Sequence, residues 1–436
     1  MNFVQTYIKS NRLNAFVLAG GKSKDLGSIS DPRINRHALP KPAVPVGPMR
    51  AIDYSLRSLA QIGVKNADIL TGHLSPKLRL WYDRPSPFDI DLNFSPEVEQ
   101  RHTLGAVLTE LSYKGRLRND DVSLVLYGDI AHNLNLHPAI EEHLRVNSDV
   151  TVVLYPPIRE STSRSAKLIL ENMPLAEQLK PGRDVTEARH AWIIENQKCA
   201  HRIIKMAKRQ EDFQFDSGLA MFSVFIFRQG FLKEIQPCAT NFDGEKLFSG
   251  GSLSSLPNFY GFGDIFKWLT STPVGRRKNF FAYIAGSDVY RRDIGTPQSL
   301  QQANFDVLDG RLDAGIDIFS HPATPREQRI YIGHNTYVSP GAEIIGPTLI
   351  SDNVIVEAGA RISNSVIREG NIIREGAIVE NSVLFPFDYN QLANNVIGKK
   401  AQLTNIVFTG GEVDEGAIYF HQIVYTPVGG CAVDNL

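Results

Sequence analysis

Gly20 and Gly21 follow directly on a short apolar stretch, Asn14–Ala19. Glycines at a strand end let backbone N–H groups approach a phosphate closely; an ordinary tight turn uses the same pair. Neither familiar phosphate loop fits. Gly21-Lys22-Ser23 supplies the end of a G-x-x-x-x-G-K-[ST] loop, but Phe16 stands at its first glycine, and a G-x-G-x-x-G fingerprint fails at Lys22. Twenty residues on, Lys41-Pro42-Ala43-Val44-Pro45 places a lysine in a segment stiffened by two prolines. Such a segment can aim a cation at a phosphate; a surface lysine before a structural proline has the same spelling. Asp129 closes the run Val122–Tyr127 (VSLVLY), the position where an open α/β sheet carries its site. A carboxylate there is a natural Mg²⁺ ligand, and Mg²⁺ takes one or two carboxylates plus phosphate oxygens. Asp293, in Tyr290–Thr296 (YRRDIGT), follows the strand-like Phe280–Ile284 and is the candidate second carboxylate, with a helix N-terminal acid as the competing use. Two carboxylates, a glycine turn and a fixed lysine suit phosphoryl or nucleotidyl transfer, which depends on positioning and charge neutralisation. No HExxH and no Ser/His/Asp order supports a hydrolase.

Positioning these residues requires a layered scaffold, and the first ~300 residues read as one. Asn14–Leu18, Asp68–Thr71, Val122–Tyr127, Val150–Tyr155 (VTVVLY) and Ser217–Phe227 read as strands. Arg50–Ile62, with Ile52, Leu56 and Leu59 at helical spacing, Thr103–Leu111 and Leu136–Val146 read as helices. Strands alternating with helices imply an α/β fold with a mostly parallel sheet. Residues 157–212 are charged and aperiodic, and are read as a subdomain or insertion.

The last quarter has another period. Ile332, Val338, Ile344, Ile350, Val356 and Ile362 recur every sixth residue, and after a one-residue slip Ile367, Ile373 and Val379 continue the ladder. Gly-Ala pairs recur at Gly341-Ala342, Gly359-Ala360 and Gly376-Ala377. This predicts a parallel β-helix with three short strands per coil. The expected division is residues 1–309, a linker over 310–330, and the β-helix over 331–436.

Charge is balanced, with 46 Lys and Arg against 47 Asp and Glu, so no nucleic-acid surface is indicated. The three cysteines are far apart and lack CxxC spacing, which argues against a disulfide framework and a cysteine zinc site and suits a reducing, cytoplasmic setting. The first sixteen residues lack a signal-peptide core, and no apolar run is long enough to span a membrane.

Together these segments resemble the sugar-phosphate nucleotidyltransferases that end in a left-handed β-helix, and within them the ADP-glucose pyrophosphorylases. The resemblance rests on LAGG at Leu18–Gly21, KPAVPVG at Lys41–Gly47, RAIDYSL at Arg50–Leu56, QIGV at Gln61–Val64 and YGDI at Tyr127–Ile130. It continues through SGLAMFSVFIF at Ser217–Phe227 and YRRDIGTPQSLQQANFDVL at Tyr290–Leu308. It implies a Rossmann-like nucleotidyltransferase domain with a mixed, mostly parallel sheet, followed by the left-handed β-helix. It implies nucleotidyl transfer from ATP to glucose 1-phosphate, giving ADP-glucose and pyrophosphate for glycogen- or starch-type glucan synthesis.

Carried onto this sequence, the resemblance assigns Gly20, Gly21 and Lys22 to the nucleotide, with Thr103 and Gly105 near its base. Lys41 would contact phosphates and, with Asp129, serve catalysis; Asp129 and Asp293 would hold Mg²⁺. Arg209 would take the place of the lysine that holds the sugar phosphate, and Ser217 would lie near the sugar. A homo-oligomer, or a hetero-oligomer with a sister subunit, and a phosphorylated allosteric effector are also implied. Two positions depart from the pattern: Ser23 stands at the loop's third glycine and Asp25 at its arginine. The departures keep two alternatives open, a catalytically weakened regulatory subunit and a sugar-1-phosphate nucleotidyltransferase of different specificity.

Overall fold

A computed structural model describes residues 3–22, 24–82, 88–96, 102–156, 167–174, 185–207, 219–239, 262–314, 328–386, 395–425 and 432–435. Among them nine strands form one sheet. Its spatial order is Asp91–Pro96, Asn66–Thr71, Leu13–Ala19, Val122–Tyr127, Ala220–Arg228, Val150–Tyr155, Phe280–Ile284, Ala200–Ala207 and Lys167–Leu170. Ala220–Arg228 and Ala200–Ala207 run against the other seven, so the sheet is mixed and mostly parallel. The runs VSLVLY and VTVVLY are continuous rather than alternating because both faces of the central sheet are covered. Along the first strand Phe16 packs into one core and Val17 into the other.

Helices supply both coverings. Leu104, Val107, Leu108 and Leu111 of His102–Tyr113 pack on the Phe16 face, with Phe262, Ile265 and Phe266 of Phe262–Ser271. Ile52, Leu56 and Leu59 of Ala51–Gln61 pack on the Val17 face. Each such aliphatic contributes about 1.5–3 kcal/mol when fully buried. The described parts of 157–212 are not a separate body. Lys167–Leu170 pairs with Ala200–Ala207, which pairs with Phe280–Ile284, so the segment extends the sheet at its edge.

The C-terminal strands form three sheets, parallel throughout except for the last strand, Ala432–Asn435, which runs antiparallel to Gln422–Tyr425; three parallel faces are what a left-handed β-helix requires. Register follows the six-residue ladder: Ile332 opposite Ile350 and then Ile367, Val338 opposite Val356 and then Ile373, Ile344 opposite Ile362 and then Val379. From Ile350 onward every one of these side chains is fully buried. Gly341, Gly359 and Gly376 turn the corners with positive φ, where a Cβ would add strain. The ladder runs further than its spelling suggests, through Ile397, Leu403 and Val413. The β-helix packs on the first domain through Leu349, Val366, Val383 and Val407, which meet Val44, Val46, Leu300 and Leu308. Of the expected linker, residues 315–327 lie outside the described residues.

Candidate active site

Three strand ends converge at the glycine turn. A Cβ on Gly72 would stand 2.6 Å from the Gly20 carbonyl oxygen, so only glycine allows that approach, and one on Gly128 would be tight at 3.1 Å from the Leu18 carbonyl oxygen. The space where a side chain would stand at Gly21 is open. Lys22, Lys24 and Asp25 are exposed beside it, Asp25 in the first turn of a 3₁₀ segment, Lys24–Ile29.

Lys41 opens a 3₁₀ turn, Lys41–Ala43, that starts on extended Pro40 and returns to extended backbone at Val44. Asn304, fully buried in the helix Pro297–Leu308, holds this segment. It accepts from the Gly47 N–H at 2.8 Å and donates to the Pro45 carbonyl at 3.0 Å. Lys41 Nζ thereby reaches both carboxylates, 2.5 Å from Asp129 Oδ2 and 2.9 Å from Asp293 Oδ1. Burial opposes the charge on Lys41, but the two carboxylates outweigh it and leave its pKa raised.

The Asp129 turn is anchored from behind. His132 Nδ1 accepts from the Leu134 N–H at 3.2 Å, so its Nε2 carries the proton toward Ser55 Oγ at 3.3 Å. Ser55 in turn donates to the Tyr127 carbonyl at 3.0 Å. Burial, with help from the cations Arg57 and Arg291, lowers the His132 pKa to about 3 and keeps the ring neutral, while the Leu134 N–H selects the tautomer.

Asp293 ends a short strand, Arg291–Asp293, antiparallel to Ile130–His132, and the Ile294 N–H donates to the Asp129 carbonyl at 3.0 Å. Behind it, buried Asp306 accepts from Tyr290 Oη at 2.6 Å and pairs with Arg292 at 2.9 Å. Thr296, not Asp293, caps the following helix by accepting from the Ser299 N–H at 3.1 Å.

The two carboxylates are therefore joined, and with them Lys41, at the carboxyl ends of the strands beside Gly20. Asp129 Oδ1 is buried with no hydrogen-bond partner, as a carboxylate oxygen awaiting a cation would be. Among the described residues no group of three or more His, Cys, Asp or Glu side chains is placed to hold a metal by itself. Two carboxylates suit a divalent cation that completes its shell with phosphate oxygens and water. Thr103 and Gly105 lie in the first turn of His102–Tyr113. Ser23, Arg209 and Ser217 lie outside the described residues. The supports Asn304, Ser55, His132 and Asp306 carry no local sequence signal, since each acts across the fold.

Residues 14–164 match the family model described as Nucleotidyl transferase. That stretch is similar to a nucleotidyl transferase domain. The matched stretch contains the glycine turn, Lys41 and Asp129, while Asp293 comes from beyond the match. The resemblance to the sugar-phosphate nucleotidyltransferases holds over nearly the whole chain. It is 24% identical to a glucose-1-phosphate adenylyltransferase of Bacillus thuringiensis, over 93% of each protein. It is 26% identical to one of Geobacillus stearothermophilus, over 84% of this chain and 82% of the relative. It is also 24% identical to a UTP–glucose-1-phosphate uridylyltransferase of Synechocystis, over 86% of this chain and 87% of the relative. The nucleotidyl transferase character is thus shared by all three, while the base differs among them. No helix among the described residues is long and apolar enough to cross a membrane.

Proposed function

We propose that this nucleotidyl transferase moves the adenylyl group of ATP to glucose 1-phosphate, giving ADP-glucose and pyrophosphate for storage-glucan synthesis. The observation that carries the reading is the bridge from Lys41 to Asp129 and Asp293, at the strand ends beside Gly20. A phosphate oxygen of the sugar phosphate attacks the α-phosphorus; the new P–O bond forms as the bond to the β-phosphate oxygen breaks, and pyrophosphate leaves. Lys41, kept protonated by its two carboxylates, is suited to offset the negative charge that gathers on the transferring phosphoryl group. Backbone N–H groups of the Gly20–Gly21 turn are suited to hold the triphosphate. Asp129 and Asp293 would hold Mg²⁺, which supplies charge neutralisation and alignment of the phosphates.

The adenylyl reading draws on the glucose-1-phosphate adenylyltransferase relatives, and a uridylyl donor is the second reading because the Synechocystis relative matches at the same identity. Asp25, exposed beside the glycine turn, favours low activity of the chain alone, as in a regulatory subunit. The test is pyrophosphate release by the purified chain from glucose 1-phosphate, Mg²⁺ and each nucleoside triphosphate in turn. Fastest release with ATP is expected. Release from UTP alone replaces the adenylyl reading with the uridylyl one, and no release from any of them, at any enzyme concentration, overturns the reading.

A further inference from the structure

Arg291 is a cation for which nothing described supplies a counter-charge. Its Nε is buried with no hydrogen-bond partner. Its two Nη atoms make only long contacts, 3.5 Å to Tyr155 Oη and 3.4 Å to Ser223 Oγ. No carboxylate among the described residues pairs with it, whereas its neighbour Arg292 pairs with Asp306 at 2.9 Å. The Arg291 guanidinium also lies 5.5 Å from the centre of the Tyr155 ring. The residue opposite it across the strand pair is His132, which is buried and neutral. A partly buried guanidinium held among neutral groups is costly unless an anion completes it.

The backbone is shaped to hold it there. Ser223 has φ of 68°, rare for a residue with a side chain, at the point where Ala220–Arg228 slips register against Val150–Tyr155. Such a bulge re-aims a side chain, and here Ser223 Oγ faces Arg291. Arg291 also lies two residues before Asp293 on one strand, so both project from the same face about 6.6 Å apart along the chain.

Sheet order then says which anion it meets. The glycine turn leaves Leu13–Ala19, Asp129 leaves the next strand, and Arg291 lies over the two strands after that, through Ser223 and Tyr155. It is therefore on the far side of Asp129 from the glycine turn. With the triphosphate on the glycine turn, the far side belongs to the acceptor.

We infer that Arg291 is the clamp for the phosphate group of the acceptor sugar phosphate. This rests on the nucleotidyl-transfer reading and adds the residue that selects a phosphorylated acceptor. Tyr155 and Ser223 position its fork, leaving the outer Nη hydrogens for phosphate oxygens.

The test measures binding, so it does not depend on turnover. Calorimetric titration of the full chain with glucose 1-phosphate, with glucose and with ATP is repeated on Arg291→Gln and Arg291→Lys, with melting temperatures as the check on folding. The Gln variant is expected to bind glucose 1-phosphate about 10- to 100-fold more weakly, the Lys variant less so, and both to bind ATP within about twofold of wild type. Glucose is expected to bind no better to wild type than to either variant. Wild type that binds both ATP and glucose 1-phosphate, with a folded Gln variant that keeps glucose 1-phosphate affinity, overturns the clamp alone. Equal loss of ATP and glucose 1-phosphate binding also overturns it, since Arg291 would then serve the triphosphate. Wild type that binds neither ligand overturns the nucleotidyl-transfer reading, and the clamp with it.

Discussion

Lys41 and Asp293 stand 252 positions apart in sequence and 2.9 Å apart in space, and the same ammonium lies 2.5 Å from Asp129. One cation thus brings together the end of a central strand and a short strand near the close of the first domain. The arrangement holds two carboxylates near each other before any divalent ion arrives. It also explains why a proline-stiffened segment carries the lysine: a mobile ammonium would not span both acids.

Asp129→Asn is expected to lower kcat about 10²- to 10³-fold, the usual loss when one positioned electrostatic group is removed. The fold should persist, since volume is nearly unchanged and Asp129 Oδ1 makes no hydrogen bond. Circular dichroism checks the fold and pyrophosphate release checks the rate. Chelation with EDTA should abolish turnover of the wild type and added Mg²⁺ restore it. Retained turnover in EDTA would remove the metal assignment of Asp129 and Asp293.

Asp25→Arg is expected to raise kcat/KM for ATP. Asp25 is exposed beside the glycine turn, where a negative charge repels a triphosphate. Solvent and salt screen an exposed charge, so the gain should be roughly 3- to 30-fold and should shrink as ionic strength rises. An unchanged kcat/KM at low salt would mean that Asp25 does not face the nucleotide.

His132 and His143 are fully buried, and burial lowers both pKa values to about 3 from the ordinary 6.5. Below pH 6.5 the unfolded chain takes up protons that the folded chain refuses. Stability is therefore expected to fall as pH drops from 6.5 toward 3, by about 1.4 kcal/mol per pH unit for each histidine. Urea titrations between pH 7.5 and 5 measure the slope. His143→Gln should flatten it by one proton. A slope unchanged in that variant would show that His143 is protonated in the folded state.

What the sequence made legible follows from physical period. VSLVLY and VTVVLY announce themselves because strands buried on both faces are spelled as unbroken apolar runs, and the observed strands begin and end where those runs do. The six-residue ladder is legible because a solenoid repeats its inward position. Residues 157–212 are not, because a strand near the sheet's edge buries little: from Ala200 to Ile204 only Ile203 is buried, too little to impose a pattern. Polar supports are the hardest to read. Asn304 and Asp306 look like the wet face of a helix, yet both are fully buried and hold Lys41's segment and Asp293's strand from behind. Arg291 reads as one more basic residue until Tyr155 and Ser223 are folded against it.

The β-helix reaches the far end of the segment that starts at Lys41 through Arg368. Its guanidinium is almost wholly buried and donates to the carbonyls of Gly47 and Met49 at 2.9 and 3.0 Å, while its other arm pairs with Glu369 at 2.8 Å. Burial opposes its charge, but Glu369 more than offsets this and the pKa stays raised. Arg368→Met should leave those two carbonyls and one carboxylate without their partner and cost about 3–5 kcal/mol of stability. The same change frees the far end of the segment that starts at Lys41, so kcat should fall while KM for ATP moves little. Arg368→Lys should restore part of both. Ile350→Asp, which puts a charge inside the β-helix without touching that segment, serves as the contrast. It should unfold the C-terminal coils, and rate and structure should be lost together. If Arg368→Met lowers the melting temperature as expected but leaves kcat at the wild-type value in folded protein, the β-helix supports the first domain without steering Lys41.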